Sequence, residues 1–165
     1  MDSQFLLSQK LGEALFEKGW VLSTAESCTG GGVATSITDV AGSSAWFDRA
    51  YITYSNQAKV DMLGVREETL ESFGAVSEPI VTEMVLGALE RSNASIAVSI
   101  SGIAGPGGGT AEKPVGTVCF GFASSNGWLC AETYFFQGDR KQIREQAVNH
   151  ALRSLLSFLT RGSHE

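Results

Sequence analysis

A serine at a strand-to-helix boundary and a lysine one segment downstream are the side chains best suited here to act as a nucleophile and its base. Ser27 stands in Glu26-Ser27-Cys28-Thr29-Gly30-Gly31-Gly32, directly after a short apolar run. A hydroxyl at such a boundary lies beside the unpaired N–H groups that open a helix, which stabilise an oxyanion or hold a phosphate. The same position also suits a serine that only caps the helix. The consecutive glycines tilt the reading toward a site, because glycine at a helix start costs stability and calls for a close backbone approach. Lys59 is the candidate base. A free lysine titrates near pH ~10.4, so it accepts a proton at neutral pH only if it is desolvated or set beside other cations. Otherwise it is a solvated surface lysine. Tyr54 either relays a proton and orients Lys59 or simply ends a strand.

Two further features bear on an anionic ligand. The run Ser101-Gly102-Ile103-Ala104-Gly105-Pro106-Gly107-Gly108-Gly109 could wrap a phosphate with backbone N–H groups, or form a flexible surface loop. It matches neither GxGxxG nor GxxxxGK[ST]. Arg140 falls near the start of a helix, against the helix dipole, which suits either an anionic ligand or a solvated surface arginine. Cys28, beside Ser27, reads as a small packing residue.

The elements that must position these residues follow from periodicity. Leu7, Leu11, Ala14 and Leu15 recur at helical spacing, giving a helix over 3–18 that Gly19 stops. Residues 20–25 read as a buried strand, followed by the 26–32 loop and a helix to about Val40. A second strand spans 50–54 and runs into Ser55-Asn56, a helix-capping pair, and a short helix carrying Lys59. Helices are predicted over 66–73 and 78–91, the latter with Pro79 in its first turn. Residues 94–100 form a third strand. Strands over 116–123 and 130–136 flank Ser124-Ser125-Asn126-Gly127, a hairpin signal. The last helix starts at Asp139, with Ile143, Ala147, Ala151, Leu155 and Leu159 as one buried stripe. Alternation followed by a hairpin predicts a three-layer α/β/α sandwich with a mixed sheet of about five strands. In such sheets ligands collect at the carboxyl ends of strands, where Ser27, Tyr54 and the glycine loop all fall.

The totals limit the function classes. The chain of 165 residues suits one domain over 1–165, with 161–165 as a polar tail. A net charge of −6 and the lack of a basic cluster beyond Arg140, Lys141 and Arg144 argue against nucleic acid as partner. Cys28, Cys119 and Cys130 form no CxxC, and with only His150 and His164 there is no zinc ligand set. No stretch is long enough to span a bilayer, and residues 1–19 lack a signal-peptide pattern. The expectation is a cytoplasmic protein with no metal and no cofactor. Apolar positions over 81–89 leave self-association open.

Several blocks, taken in order, carry a resemblance. They are Ala25-Glu26-Ser27-Cys28-Thr29-Gly30-Gly31, Ala41-Gly42-Ser43-Ser44-Ala45-Trp46-Phe47, Tyr54-Ser55-Asn56, Gly74-Ala75-Val76-Ser77-Glu78, Ser99-Ile100-Ser101-Gly102-Ile103-Ala104-Gly105-Pro106, Lys113-Pro114-Val115-Gly116-Thr117-Val118 and Gly138-Asp139-Arg140. Together they resemble the CinA C-terminal domain family from about residue 5 to about residue 158, and within it the stand-alone nicotinamide-nucleotide amidases. The resemblance implies hydrolysis of nicotinamide mononucleotide to nicotinic acid mononucleotide and ammonia, in pyridine nucleotide salvage, by a metal-free Ser/Lys dyad. Carried over by position, it makes Ser27 the nucleophile and Lys59 the base, with Tyr54 assisting. Ser44 is an alternative nucleophile. Backbone N–H groups near Thr29 and Gly30 would hold the oxyanion, Gly31 and Asn56 fall in matching blocks as substrate-binding candidates, and Arg140 with Gly102–Gly105 would hold the phosphate. Longer family members carry an additional N-terminal domain with a pyrophosphatase activity, to which the resemblance here does not extend. Two other readings stand beside this one: a non-catalytic nucleotide-binding module of the kind linked to competence and DNA damage, and an amidase for another small substrate. A buried Lys59 touching Ser27 separates the enzyme from the binder.

Overall fold

The computed structural model describes residues 3–161. In chain order it contains α1 (Ser3–Lys18), β1 (Leu22–Glu26), α2 (Gly32–Thr38), a 3₁₀ turn (Ser43–Ala45), β2 (Phe47–Ile52), α3 (Asn56–Leu63), α4 (Glu67–Phe73), α5 (Glu78–Glu90), β3 (Ile96–Gly102), β4 (Thr117–Ser124), β5 (Leu129–Phe135) and α6 (Arg140–Arg161). The five strands form one sheet in the order β2-β1-β3-β4-β5. β1 runs parallel to β2 and β3, while β3-β4 and β4-β5 are antiparallel. Helices cover both faces, as the three-layer expectation required.

Each face closes its own core. On one side Leu11 and Leu15 of α1, Val33 and Ile37 of α2 and the α6 stripe pack on Leu22, Ile96, Val98, Phe120 and Phe122. Ile143, Ala147, Ala151, Leu155 and Leu159 are all buried, so the four-residue spacing marks the inner face of α6. On the other side Ile80, Val81, Met84, Val85 and Ala88 of α5 pack on Ala25, Ala97, Cys119 and Ala123. Of the apolar residues over 81–89, Val81, Met84, Val85 and Ala88 serve this core, while Leu86 stays 44% exposed on the outer face of α5.

Boundaries differ from the pattern-based reading for local reasons. Trp20 and Val21 precede β1, and Glu26 ends the strand, because the ladder continues through Ser27 N–H to the Ile100 carbonyl at 2.9 Å. β2 begins at Phe47 and stops at Ile52, leaving Tyr54 past its end. α6 continues to Arg161, so of the expected tail only 162–165 remain, and these lie outside the described residues.

The placement of Lys59 begins with the cap of α3. The Ser55 hydroxyl accepts the Ala58 N–H at 3.0 Å and so fixes where the helix starts, one turn before Lys59. Gly64, at φ 73°, ends it. The end of α3 then lies against Gly87 of α5 so closely that a β-carbon there would run into the Leu63 carbonyl. Gly87→Ala is therefore expected to push α3 away from α5 and destabilise the fold by about 1–3 kcal/mol, measured by urea unfolding. An unchanged midpoint would contradict this account of how α3 is seated.

Candidate active site

β1 lies between β2 and β3, so the chain leaves it toward opposite sides, and the carboxyl ends of the three parallel strands meet at one rim. In open α/β sheets this switch point is where a crevice forms. Ser27 is the first residue beyond β1, locked by its N–H to Ile100 while the Glu26 carbonyl takes the Thr53 N–H at 2.9 Å. Lys59 arrives from the α3 side and meets it. Lys59 Nζ lies 3.0 Å from Ser27 Oγ and donates to the carbonyls of Thr53 at 2.9 Å and Tyr54 at 3.4 Å. Ser27 Oγ is itself 3.3 Å from the Tyr54 carbonyl.

Lys59 is 1% exposed and Ser27 7%. No carboxylate among the described residues pairs with Lys59; its contacts are the hydroxyl and the carbonyls. Burial disfavours the charged ammonium and lowers its pKa from 10.5 to about 8. Burial acts the other way on the neighbouring Cys28 thiol, raising it to about 11. Cys28 thus stays a neutral thiol, consistent with a packing role, and its sulfur packs near Gly102.

The loop after Ser27 is held from two sides. Glu26, fully buried, accepts from Thr24 Oγ1 at 3.0 Å, Thr29 Oγ1 at 2.8 Å and the N–H groups of Val33 and Ala34, each at 3.0 Å. Its carboxylate caps α2 from within the sheet. Arg144 of α6 approaches from the other side, donating through Nε to the Cys28 carbonyl at 3.0 Å and through a terminal nitrogen to the Thr29 carbonyl at 3.2 Å. Gly30 and Gly31, at φ 58° and 97°, make the turn that links these anchors, a conformation side chains resist.

These bonds correct the simple picture of a free helix terminus. The Val33 and Ala34 amides belong to Glu26, and the Gly30 amide donates to the Ser27 carbonyl at 3.0 Å. Among the described residues the Cys28 and Thr29 amides have no carbonyl partner. They are the donors next to Ser27 that remain for an oxyanion. Thr29 contributes its backbone, since its hydroxyl is buried on Glu26.

The other sequence candidates separate by position. Tyr54 is 61% exposed beside the pair, and its hydroxyl accepts from Arg140 at 3.0 Å. A second nitrogen of Arg140 donates to the Gly105 carbonyl at 2.7 Å, so one guanidinium ties the start of α6 to both neighbouring loops. Gly102 ends β3 at the same rim, and the Gly105-Pro106 bond is cis. Asn56 opens α3 and is exposed. Ser44 is not brought to this site. It lies in the 3₁₀ turn before β2, at the amino ends of the parallel strands and thus at the opposite rim from Ser27. Among the described residues, no three His, Cys, Asp or Glu side chains group as a metal site would need.

Two side chains that hold this loop had no assigned role in the sequence. Glu26 was visible only as a neighbour of Ser27, with nothing to show that its carboxylate turns inward. Arg144 had a usable signal, for it stands four residues after Arg140 on one helix face. Glu26→Gln sets an amide N–H₂ against the N–H donors that the carboxylate accepts. It is expected to cost about 1–3 kcal/mol in urea unfolding; a wild-type midpoint would contradict the anchoring role.

The sequence and the fold are similar to those of known proteins. The CinA C-terminal domain family matches residues 5–159. The nicotinamide-nucleotide amidohydrolase PncC of Escherichia coli K12 is 57% identical over 155 residues, covering 93% of this chain and 94% of that protein. A putative competence-damage inducible protein of Symbiobacterium thermophilum is 53% identical, but there the match spans 38% of the longer protein. The crystal structure of competence/damage inducible protein CihA from Agrobacterium tumefaciens superposes with a TM-score of 0.93 at 45% identity, covering 97% of both chains. A CinA superfamily protein from Klebsiella pneumoniae also gives a TM-score of 0.93, at 39% identity over 98% of this chain and all of that one. By sequence along nearly its whole length and by fold, the chain belongs to the CinA C-terminal domain family.

Proposed function

We propose that this protein is an amidohydrolase that converts nicotinamide mononucleotide to nicotinic acid mononucleotide and ammonia, with Ser27 as nucleophile and Lys59 as base. The observation that carries the reading is the buried Lys59 amine 3.0 Å from Ser27 Oγ, with no acid partner among the described residues and a pKa lowered to about 8. A nucleotide-binding module has no need of a desolvated lysine held against a serine. The relatives named as nicotinamide-nucleotide amidohydrolases support the substrate.

The geometry supports a sequence of balanced steps. Neutral Lys59 keeps two N–H bonds for the Thr53 and Tyr54 carbonyls and turns its lone pair to Ser27, taking the hydroxyl proton as Oγ attacks the amide carbon. The carbonyl oxygen becomes an oxyanion facing the Cys28 and Thr29 amides; Arg144 holds the plane of the Thr29 amide through the Cys28 carbonyl, and the Gly30 N–H holds that of the Cys28 amide through the Ser27 carbonyl. The C–N bond then breaks, and the leaving nitrogen departs as ammonia with the proton from Lys59. Water, deprotonated by the same amine, attacks the acyl-serine; the ester bond breaks, Oγ regains its proton from Lys59, and the released acid gives its remaining proton to solvent to become the carboxylate. The electron-poor pyridinium ring makes the carbonyl a good electrophile. Arg140 holds two loops through two nitrogens and, with its remaining N–H bonds and the Gly102–Gly105 backbone, is our choice for the 5′-phosphate. Three cysteines left as free thiols fit a reducing, cytoplasmic setting.

Ammonia release from nicotinamide mononucleotide tests the reading. Ser27→Ala and Lys59→Met are each expected to lower kcat/KM by about ten-thousand-fold, and Tyr54→Phe by about tenfold to a hundredfold. Folded Ser27→Ala protein with wild-type turnover would sink the proposal. The pH profile follows from the sign of the Lys59 shift. The amine must be neutral to act, so kcat/KM should rise tenfold per pH unit below about 8 and level off above it. A profile that falls through that range would contradict the assignment.

A further inference from the structure

Lys59 reaches Ser27 from the β2 side, and the strand on the other flank of Ser27 carries a hydroxyl with no role in the chemistry above. β1 and β3 run parallel, with Ala25 beside Ser99 and Glu26 beside Ile100. The Ser27 N–H continues that ladder to the Ile100 carbonyl at 2.9 Å. Ser101 is therefore the residue of β3 beside Ser27, on a strand ~4.8 Å away. Side chains alternate between the two faces of a sheet. Ile96, Val98 and Ile100 pack on the α6 side, whereas Ala97 belongs to the α5 core and the Ser99 hydroxyl donates to the Val81 carbonyl of α5 at 2.6 Å. Ser101 falls on that α5 face. So does Ser27, because Ala25 packs in the α5 core and Ser27 Oγ meets Lys59 of α3, which lies against α5.

Ser101 is 2% exposed, and its hydroxyl has no hydrogen-bond partner among the described residues. Leaving a hydroxyl unpaired in the interior is unfavourable. Ser8, Ser23 and Thr53 also carry unpaired hydroxyls, but theirs are sealed from solvent. That of Ser101 is not sealed, and it stands at the carboxyl rim where the crevice opens. Other acceptors around Ser27 are engaged. The Thr53 and Tyr54 carbonyls take Lys59, the Ile100 carbonyl takes the Ser27 N–H, and the Glu26 carboxylate is turned to α2.

We propose that Ser101 is a further active-site residue, whose hydroxyl accepts a hydrogen bond from the amide nitrogen of the substrate and turns the nitrogen lone pair toward Lys59. This rests on the amidohydrolase reading above. The Lys59 amine is held on the β2 side of Ser27 by the Thr53 and Tyr54 carbonyls, and Ser101 stands on the β3 side. A nitrogen set between them gives an N–H bond to one and takes a proton from the other.

In the tetrahedral intermediate that nitrogen carries two hydrogens and one lone pair, so fixing an N–H restricts where the lone pair points. The lone pair takes the proton of the Lys59 ammonium. As the C–N bond breaks, its electron pair stays with nitrogen and ammonia leaves. Ser101 keeps its own proton throughout. The hydroxyl is thereby matched to a leaving group that bears hydrogen, as a primary amide does. The alkoxy oxygen of an ester has no hydrogen to give it, and its departure does not depend on this contact.

The test compares two substrates of the full chain, nicotinamide mononucleotide and the methyl ester of nicotinic acid mononucleotide. Wild-type release of ammonia from the first and methanol from the second is the control for the reading above, and Ser27→Ala should abolish both. Ser101→Ala is expected to lower kcat on the amide by about tenfold to a hundredfold, the loss of one hydrogen bond, with KM little changed. Its effect on the ester should be far smaller. Ser101→Thr keeps an acceptor and should retain most of the amide turnover. A serine with only a structural role would affect both substrates alike. Circular dichroism checks the fold, and if Ser101→Ala does not fold, Ser101→Cys, a weak acceptor, carries the comparison. An equal loss on amide and ester, or full amide turnover in folded Ser101→Ala, overturns the proposal and leaves the Ser27–Lys59 reading standing. A wild-type protein that releases no ammonia overturns that reading, and this inference with it.

Discussion

The structure depends on keeping one amine out of water. A buried lysine is ordinarily paired with a carboxylate, which would hold it charged. Lys59 has a hydroxyl and two carbonyls in its place, and these serve the neutral amine as well as the ammonium. Its burial follows from the fold on every side. The Ser55 cap sets its position on α3, Gly87 lets α3 sit against α5, and β1 brings Ser27 to the same point. Moving any of these would admit water to the amine or part it from the serine.

The second constraint is the shape of the loop that follows the serine. A helix N-terminus so near Ser27 would suggest that the helix itself stabilises negative charge on a ligand. Here the negative charge at the first amides of α2 is the chain's own Glu26 carboxylate. What remains for a ligand is a short stretch of backbone at Cys28 and Thr29. Arg144 holds the carbonyls of those two residues. A buried carboxylate on one side and a guanidinium on the other thus fix peptide planes that no side chain of the loop could fix alone. Such prior orientation is what gives backbone donors their value in a dry site.

Much of this was legible in the sequence, for identifiable reasons. The α6 stripe, the Ser77-Pro79 start of α5 and the 124–127 hairpin are local signals, and each element formed where its signal lay. Ser27 was marked by residue type and strand-end position and Lys59 by residue type, their pairing was implied by the family resemblance, and the structure brings them together. Contacts set by long-range packing were not legible. Whether Lys59 was buried or solvated depended on α5, far along the chain. Ser44 looked equivalent to Ser27 by residue type and was separated from it only by strand direction, which sends the two to opposite rims. For the helix over 81–89, apolarity alone does not say which residues its own sheet covers: Val81, Met84, Val85 and Ala88 are buried there and Leu86 is 44% exposed.

The central claim is that Lys59 is a neutral base in contact with Ser27. Its most direct test is the titration of the Lys59 side chain by heteronuclear NMR, assigned by comparison with the folded Lys59→Met protein. The account predicts a midpoint about 8, with the amine largely neutral above it. A Lys59 that titrates near the ordinary ~10.4 of a solvated lysine would contradict it.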